Sequence, residues 1–176
     1  MNDQSISRYP VPKLEDLADD IRERMLTVQE TPAEFRAFFA YHDAIMEREE
    51  STLTPAEKEM IIVATSSENN CQYCVVAHGA LLRIFSKDPL LADKIAINYL
   101  HAPLNERQKL MLKFALKLSR TPELVAEADF AELRQQGYTE DDILDISGIT
   151  AFFGLSNRMA IVMSMQANTE FYTMAR

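Results

Sequence analysis

The chain has 176 residues, is 47% hydrophobic and carries a net charge of −9 from 18 basic and 27 acidic side chains. That length can bury one sizeable core, and an acidic balance without a basic patch argues against nucleic acid or an anionic membrane as a partner. Only four glycines and no sustained polar–apolar alternation favour an all-helical chain over a sheet.

The first residues, Met1 to Pro10, lack the apolar centre of a signal peptide. No apolar run reaches the ~18 residues of a membrane span, so a cytoplasmic protein is expected. Residues 1–13 read as an arm, polar at first and then Tyr9-Pro-Val-Pro12, whose prolines favour an extended path. Such an arm can pack on its own domain or on a neighbouring subunit. No linker or low-complexity stretch divides residues 14–176, which count as one domain.

Leu14, Leu17, Ile21, Met25 and Val28 have helical spacing. Thr31-Pro-Ala-Glu34 then signals a helix start by cap, first-turn proline and capping box. That helix extends to about Arg48 with Phe35, Phe38, Phe39, His42, Ile45 and Met46 on its apolar stripe. His42 is read there as a core or interface histidine in preference to a catalytic one. Thr54-Pro-Ala-Glu57 repeats the start signal, and Met60-Ile-Ile-Val-Ala64 makes the next helix largely buried. Glu59 is followed at helical spacing by Ile62 and Val63, so it either points along an apolar face and needs a partner or stays wet in the first turn. Spacing alone leaves the two equal.

Ser67-Glu-Asn-Asn-Cys71-Gln-Tyr-Cys74-Val-Val-Ala-His78 follows, with both cysteines of the chain and one of its three histidines. Asn70 is the expected N-cap, which puts Cys71 in the first turn of a helix continuing through Gly79, Leu82 and Phe85. Asp88 is expected to open a helix to about Tyr99, followed by a surface His101. Leu104 to Met111 resembles Leu53 to Met60 at an offset of 51 residues, either a weak repeat or two independent capping boxes. Thr121-Pro-Glu starts a helix to about Gln136, stopped by Gly137. Thr139-Glu-Asp-Asp142 starts another that buries Ile143, Leu144, Ile146, Ile149, Phe152 and Phe153, with a bend or break at Gly154. A last apolar helix from Leu155 to about Ala167 carries Met159, Met163 and Met165 as core or interface filler.

Two thiols three residues apart lie about one helical turn apart, where a disulfide is geometrically possible. His78, four residues past Cys74, can share their face. In a reducing compartment such a pair is more often catalytic or metal-binding than structural, and a bridge across one turn closes too small a loop to stabilise much. The helix start and His78 can both favour a thiolate. Oxidation of one sulfur to a sulfenic acid puts it within reach of the other. Cys-x2-Cys-x3-His also offers three ligands of zinc type, but no second cluster supplies a fourth. The redox reading is preferred over zinc and over a purely structural pair.

Glu59, twelve positions before Cys71, together with Cys71-Gln-Tyr-Cys74-Val-Val-Ala-His78, resembles the signature of the alkylhydroperoxidase D family within the carboxymuconolactone decarboxylase superfamily. The resemblance implies an all-α, single-domain helical bundle. It implies an oxidoreductase that reduces small hydroperoxides without metal or other cofactor. In the family the cysteine matching Cys74 attacks the peroxide, the one matching Cys71 resolves the sulfenic acid, and the residues matching Glu59 and His78 relay the proton. The implied partners are a dithiol electron donor, possible in dihydrolipoyl form, and further copies of the chain in a trimer or hexamer. Tyr73 stands where the well-known peroxidases carry histidine, and it resembles the peroxidase-related branch instead. Tyrosine donates a hydrogen bond but is no base near neutral pH. A dithiol redox adaptor serving a separate peroxidase is one alternative. A lyase of carboxymuconolactone decarboxylase type is another, although such members are not built around a dithiol.

Overall fold

The structure, a computed structural model, describes residues 32–176. The expected arm, the helix over 14–28 and the Thr31 cap lie outside the described residues. Those residues form eight α-helices and no strand: α1 Pro32–Met46, α2 Pro55–Glu68, α3 Gln72–Ser86, α4 Leu91–Asn98, α5 Glu106–Arg120, α6 Glu127–Gln135, α7 Glu140–Val162 and α8 Thr169–Thr173. Among them no helix is long and apolar enough to cross a membrane.

Helix α2 is the axis. All residues from Glu57 to Ser66 are buried, as expected of a helix with apolar side chains on every face. It packs against α3, α4, α5 and α7, while α1 lies on α7 and α8 lies on α3. Ile61, Ile62 and Val63 meet Leu82, Met111, Leu112, Ile146, Ile149 and Phe153 in one continuous core. The start signals act as read: Thr54 with Glu57, Asn105 with Gln108 and Thr139 with Asp142 all form reciprocal capping boxes.

Four expectations change. Helix α4 begins at Leu91 rather than at Asp88, because the Asp88 carboxylate accepts the Leu90 N–H and holds a turn before the helix. The helix expected from Thr121 splits. Pro122–Leu124 is a 3-10 turn, and α6 starts only at Glu127, where Asp129 accepts the Ala126 N–H. Gly154 does not break α7, which is continuous to Val162. The stripe Ile146, Ile149, Thr150, Phe153, Asn157 and Ala160 is buried on both sides of the glycine, and that packing outweighs the ~1 kcal/mol helix penalty of Gly. Leu144 is 60% exposed rather than buried, since it falls on the outer face of α7.

Polar bonds fix α7 to the rest. The fully buried Asp142 accepts the N–H groups of Thr52 and Thr139 at 2.6 and 2.9 Å and the Thr52 hydroxyl at 3.0 Å. Burial alone would raise its pKa, but the Thr139 and Thr52 bonds outweigh it and hold the carboxyl below its ordinary value. Lys58 donates to the Ile45 and Met46 carbonyls at 3.2 and 2.9 Å and so closes the end of α1. Asp142→Ala is expected to lower stability by about 2–4 kcal/mol in urea unfolding at neutral pH. A folded pKa below the unfolded one stabilises above about pH 4 and is lost as pH falls through the folded value. The gap between variant and wild type should therefore narrow in acid.

Candidate active site

Helices α2 and α3 form a tight antiparallel pair, joined by Asn69, Asn70 and Cys71. Asn70 takes φ +55°, in the left-handed region that asparagine tolerates. It is exposed, and its amide reaches only the Glu68 carbonyl. The N-cap is Cys71 itself, whose sulfur accepts the Cys74 N–H at 3.4 Å. The expected cap at Asn70 is thus displaced by one residue. The left-handed turn at Asn70 reverses the chain, and the extended Cys71 (φ −85°, ψ 91°) then opens the helix.

Cys71 and Cys74 are free thiols, each 1% exposed, with their sulfurs 2.6 Å apart. The hydrogen bond from Cys74 pulls the Cys71 thiol down to about 7 against the opposing effect of burial, helped by the Cys74 N–H, by His78 and by Asn157. Cys74 is pushed up, first by that same bond and then by burial and the charge on Cys71. The pair titrates as a unit, and its first negative charge rests on Cys71 at the helix start, where backbone N–H groups favour an anion.

Glu59 and His78 meet across the α2–α3 contact, with Oε2 and Nδ1 2.8 Å apart and both side chains nearly fully buried. Glu59 therefore points along the apolar face with a partner, one of the two readings its spacing allowed. The Phe153 ring stands edge-on to His78 with centroids 4.7 Å apart. Phe153 also meets His42, whose Nδ1 lies 3.0 Å from Asp43 Oδ1. Burial lowers the His42 pKa against the Asp43 bond, as expected of a core histidine. His101 is exposed, at the end of the 3-10 turn after α4.

Tyr73 is buried and packs with Cys71, Cys74 and Ala160, covered by Met165 and Ala167. Burial, and then the two sulfurs, raise its pKa, so the hydroxyl stays protonated. Beyond this cover the tail is tied to α3 and α4. Arg83 donates to the Phe171 and Met174 carbonyls, Gln72 to Tyr172, and Arg176 pairs with Asp93 through two bonds of 2.7 and 2.9 Å. Among the described residues, no three His, Cys, Asp or Glu side chains are grouped to hold a metal ion.

One member of the site was missed in the sequence. Asn157 of α7 is fully buried, donates to Ser66 Oγ at 2.9 Å and accepts from Asn69 at 3.0 Å, both at the end of α2 just before the cysteines. A lone asparagine on the apolar stripe Ile146, Ile149, Phe153, Asn157, Ala160 was the available signal, because a buried amide needs partners.

Residues 32–90 match the model of the carboxymuconolactone decarboxylase family. An uncharacterized peroxidase-related protein from Ralstonia eutropha JMP134, described as having the alkylhydroperoxidase AhpD core, is 54% identical over 96% of each chain, with a TM-score of 0.81. The chain belongs to the alkylhydroperoxidase D-like group of the carboxymuconolactone decarboxylase superfamily. A second peroxidase-related protein, from Silicibacter sp. TM1040, is 37% identical over 92% of this chain and 91% of its own, with a TM-score of 0.78. The debrominase Bmp8 is 22% identical over 85% of this chain and 79% of its own, with a TM-score of 0.72, a likeness of fold. No protein of curated function matches the chain.

Family membership agrees with the all-α bundle read from the sequence, and it makes an enzyme related to peroxidases the broad expectation. The Cys71 thiol owes its lowered pKa first to the bond from Cys74. Cys74→Ala removes the thiol that donates to Cys71 while burial remains. The thiolate absorbance at 240 nm, which should rise with a midpoint of about 7 in the wild type, is expected to move to ~8.5 or above in the variant.

Proposed function

We propose that the protein is a thiol-dependent hydroperoxide reductase that cycles Cys71 and Cys74 between dithiol and disulfide. The observation that carries this reading is the pair of free thiols with sulfurs 2.6 Å apart, buried beside the Glu59–His78 pair. The negative charge rests on Cys71, whereas the family role of attacking sulfur falls to Cys74. The two are reconciled if the proton of Cys74 passes to Cys71 across their contact before attack. Cys74 sulfur then bonds to the outer peroxide oxygen, the O–O bond breaks, and the alkoxide takes a proton relayed from His78. Cys71 next attacks the sulfenic sulfur of Cys74, closing the disulfide and releasing water. The overall change is two thiols and a hydroperoxide to a disulfide, an alcohol and water.

Glu59 orients His78 and stabilises its charged form while it exchanges protons. Tyr73 contributes a wall and a hydroxyl donor but no base. No cofactor is required in this cycle, and an external dithiol, of dihydrolipoyl type or similar, restores the reduced pair. The cover of Tyr73, Met165 and Ala167 makes a small, largely apolar hydroperoxide the suitable substrate. Further proposals from the family are a homo-oligomer, trimeric or hexameric, and a cytoplasmic location.

A dithiol adaptor is the second reading, favoured by Tyr73 standing between the cysteines, where it offers no additional base. Cys74→Ser should abolish turnover of an organic hydroperoxide with a dithiol donor, and full activity in that variant would falsify the peroxidase mechanism. Robust disulfide exchange with negligible peroxide turnover in the wild type would select the adaptor. Glu59→Gln should slow peroxide reduction by ~10²-fold or more while leaving the fold intact, checked by stopped-flow kinetics beside circular dichroism. Mass spectrometry after one equivalent of peroxide should find two hydrogens lost, confined to the peptide holding Cys71 and Cys74.

A further inference from the structure

The chain after α7 closes over the dithiol without joining the core. Ser164 takes φ +50°, and the Met165 N–H returns to the Ala160 carbonyl at 3.0 Å, which ends the helix in a left-handed cap. Met165 and Ala167 then pack on the cluster of Cys71, Tyr73, Cys74 and Ala160, where each cysteine is 1% exposed. Helix α8 follows along α3. No residue from 161 to 176 is itself buried. A cavity of about 200 Å³, lined by Val75, Val76, Ala92, Phe171 and Tyr172, lies between this segment and α3 and α4. The segment therefore gains little from apolar burial or close packing, the terms that hold the rest of the chain.

Polar bonds hold it instead. Arg83 of α3, itself 3% exposed, donates from Nε to the Met174 carbonyl at 2.8 Å and from Nη2 to the Phe171 carbonyl at 2.5 Å. Arg176 pairs with Asp93 of α4 through both Nη atoms, at 2.7 and 2.9 Å. Gln72 donates to the Tyr172 hydroxyl at 3.3 Å. All of these anchors lie at or beyond Phe171, whereas the cover over the cysteines is at Met165 and Ala167. Among the described residues, 166–170 bond only within the segment itself. A segment with little buried apolar surface, latched at its far end, opens locally at far less cost than global unfolding.

We propose that residues 164–176 form a latched cover over the dithiol, which pivots about Ser164 and must release Arg83 and Asp93 before an oxidant, an alkylating agent or a dithiol donor reaches Cys71 or Cys74. The latch sets the fraction of molecules that are open, and so the observed rate of every reaction at the sulfurs, without taking part in the chemistry. Because the Arg176–Asp93 pair is well exposed to solvent, salt weakens the latch. This goes beyond the reductase reading and does not rest on it, since access is needed whatever the oxidant.

The test is the rate of iodoacetamide alkylation of the reduced full-length protein at fixed pH, measured beside its melting temperature. Asp93→Asn and Arg176→Ala should each raise the rate about two- to fivefold with little change in melting temperature. Combining Asp93→Arg with Arg176→Asp restores an ion pair and should return the rate toward the wild-type value. Arg83→Ala removes two bonds from a charged donor and should raise the rate by about tenfold or more; the two surface variants carry the test if it does not fold. Sodium chloride at about 1 M should quicken the wild type more than Arg176→Ala. Urea below the unfolding transition should change the wild-type rate only slightly, because lifting the cover exposes little surface. Wild-type rates in the folded Asp93 and Arg176 variants would overturn the proposal, as would a wild-type rate that climbs in urea with the slope of global unfolding. Absent hydroperoxide turnover in the wild type would sink the reductase reading and leave this result standing.

Discussion

A carboxylate and an imidazole 2.8 Å apart, sealed between two helices, fix how α2 meets α3. Removing either partner leaves a buried polar group unmatched, which costs far more than the pair contributes. The contact therefore specifies register. Glu59 sits early in α2 and His78 in the second turn of α3, so their meeting aligns the two helices antiparallel and sets the length of the connecting turn. The dithiol stands at that turn. The positions of the sulfurs, of the left-handed Asn70 and of the extended Cys71 all follow from this alignment.

Most of this was legible because the residues concerned are close in sequence and few in type. Glu59, Cys71, Cys74 and His78 fall within twenty positions, so helical periodicity alone can bring them together. The capping boxes at Thr54, Asn105 and Thr139 are equally local. What local reasoning mistook depended on tertiary packing or on competing side-chain bonds. Gly154 looked like a break because propensity speaks for one residue, while the buried stripe of α7 from Ile146 to Ala160 speaks for about four turns. Asp88 looked like a helix start, but it spends its carboxylate on a turn of its own. Asn70 looked like a cap, yet a sulfur one position later serves instead. Asn157 could not be placed at the dithiol by spacing, since its partners at Ser66 and Asn69 lie about ninety residues earlier.

Helix α7 emerges as the element that makes the local motif precise in space. Its first turn is bound to the segment before α2 through Asp142, its middle presents Phe153 to both His42 and His78, and its last third brings Asn157 to Ser66 and Ala160 to the cysteines. Each contact lies on one face of one continuous helix. A break at Gly154 would have parted the last third from the rest of this face, so the continuity of α7 matters to the site as much as to the core.

The sulfur of Cys71 is also the cap of α3, and this has a thermodynamic consequence for the couple it belongs to. A thiolate accepts the Cys74 N–H as a charge-assisted bond, whereas a disulfide sulfur is a neutral and weak acceptor. Oxidation thus removes part of what holds the first turn. Stabilising the reduced form in this way shifts the balance against the disulfide, the logic by which a dithiol becomes a stronger oxidant. The helix start and the neighbouring thiol add to the same side. In the proposed cycle, electrons should therefore enter this pair readily, and a modest dithiol donor should suffice to return it to the reduced state.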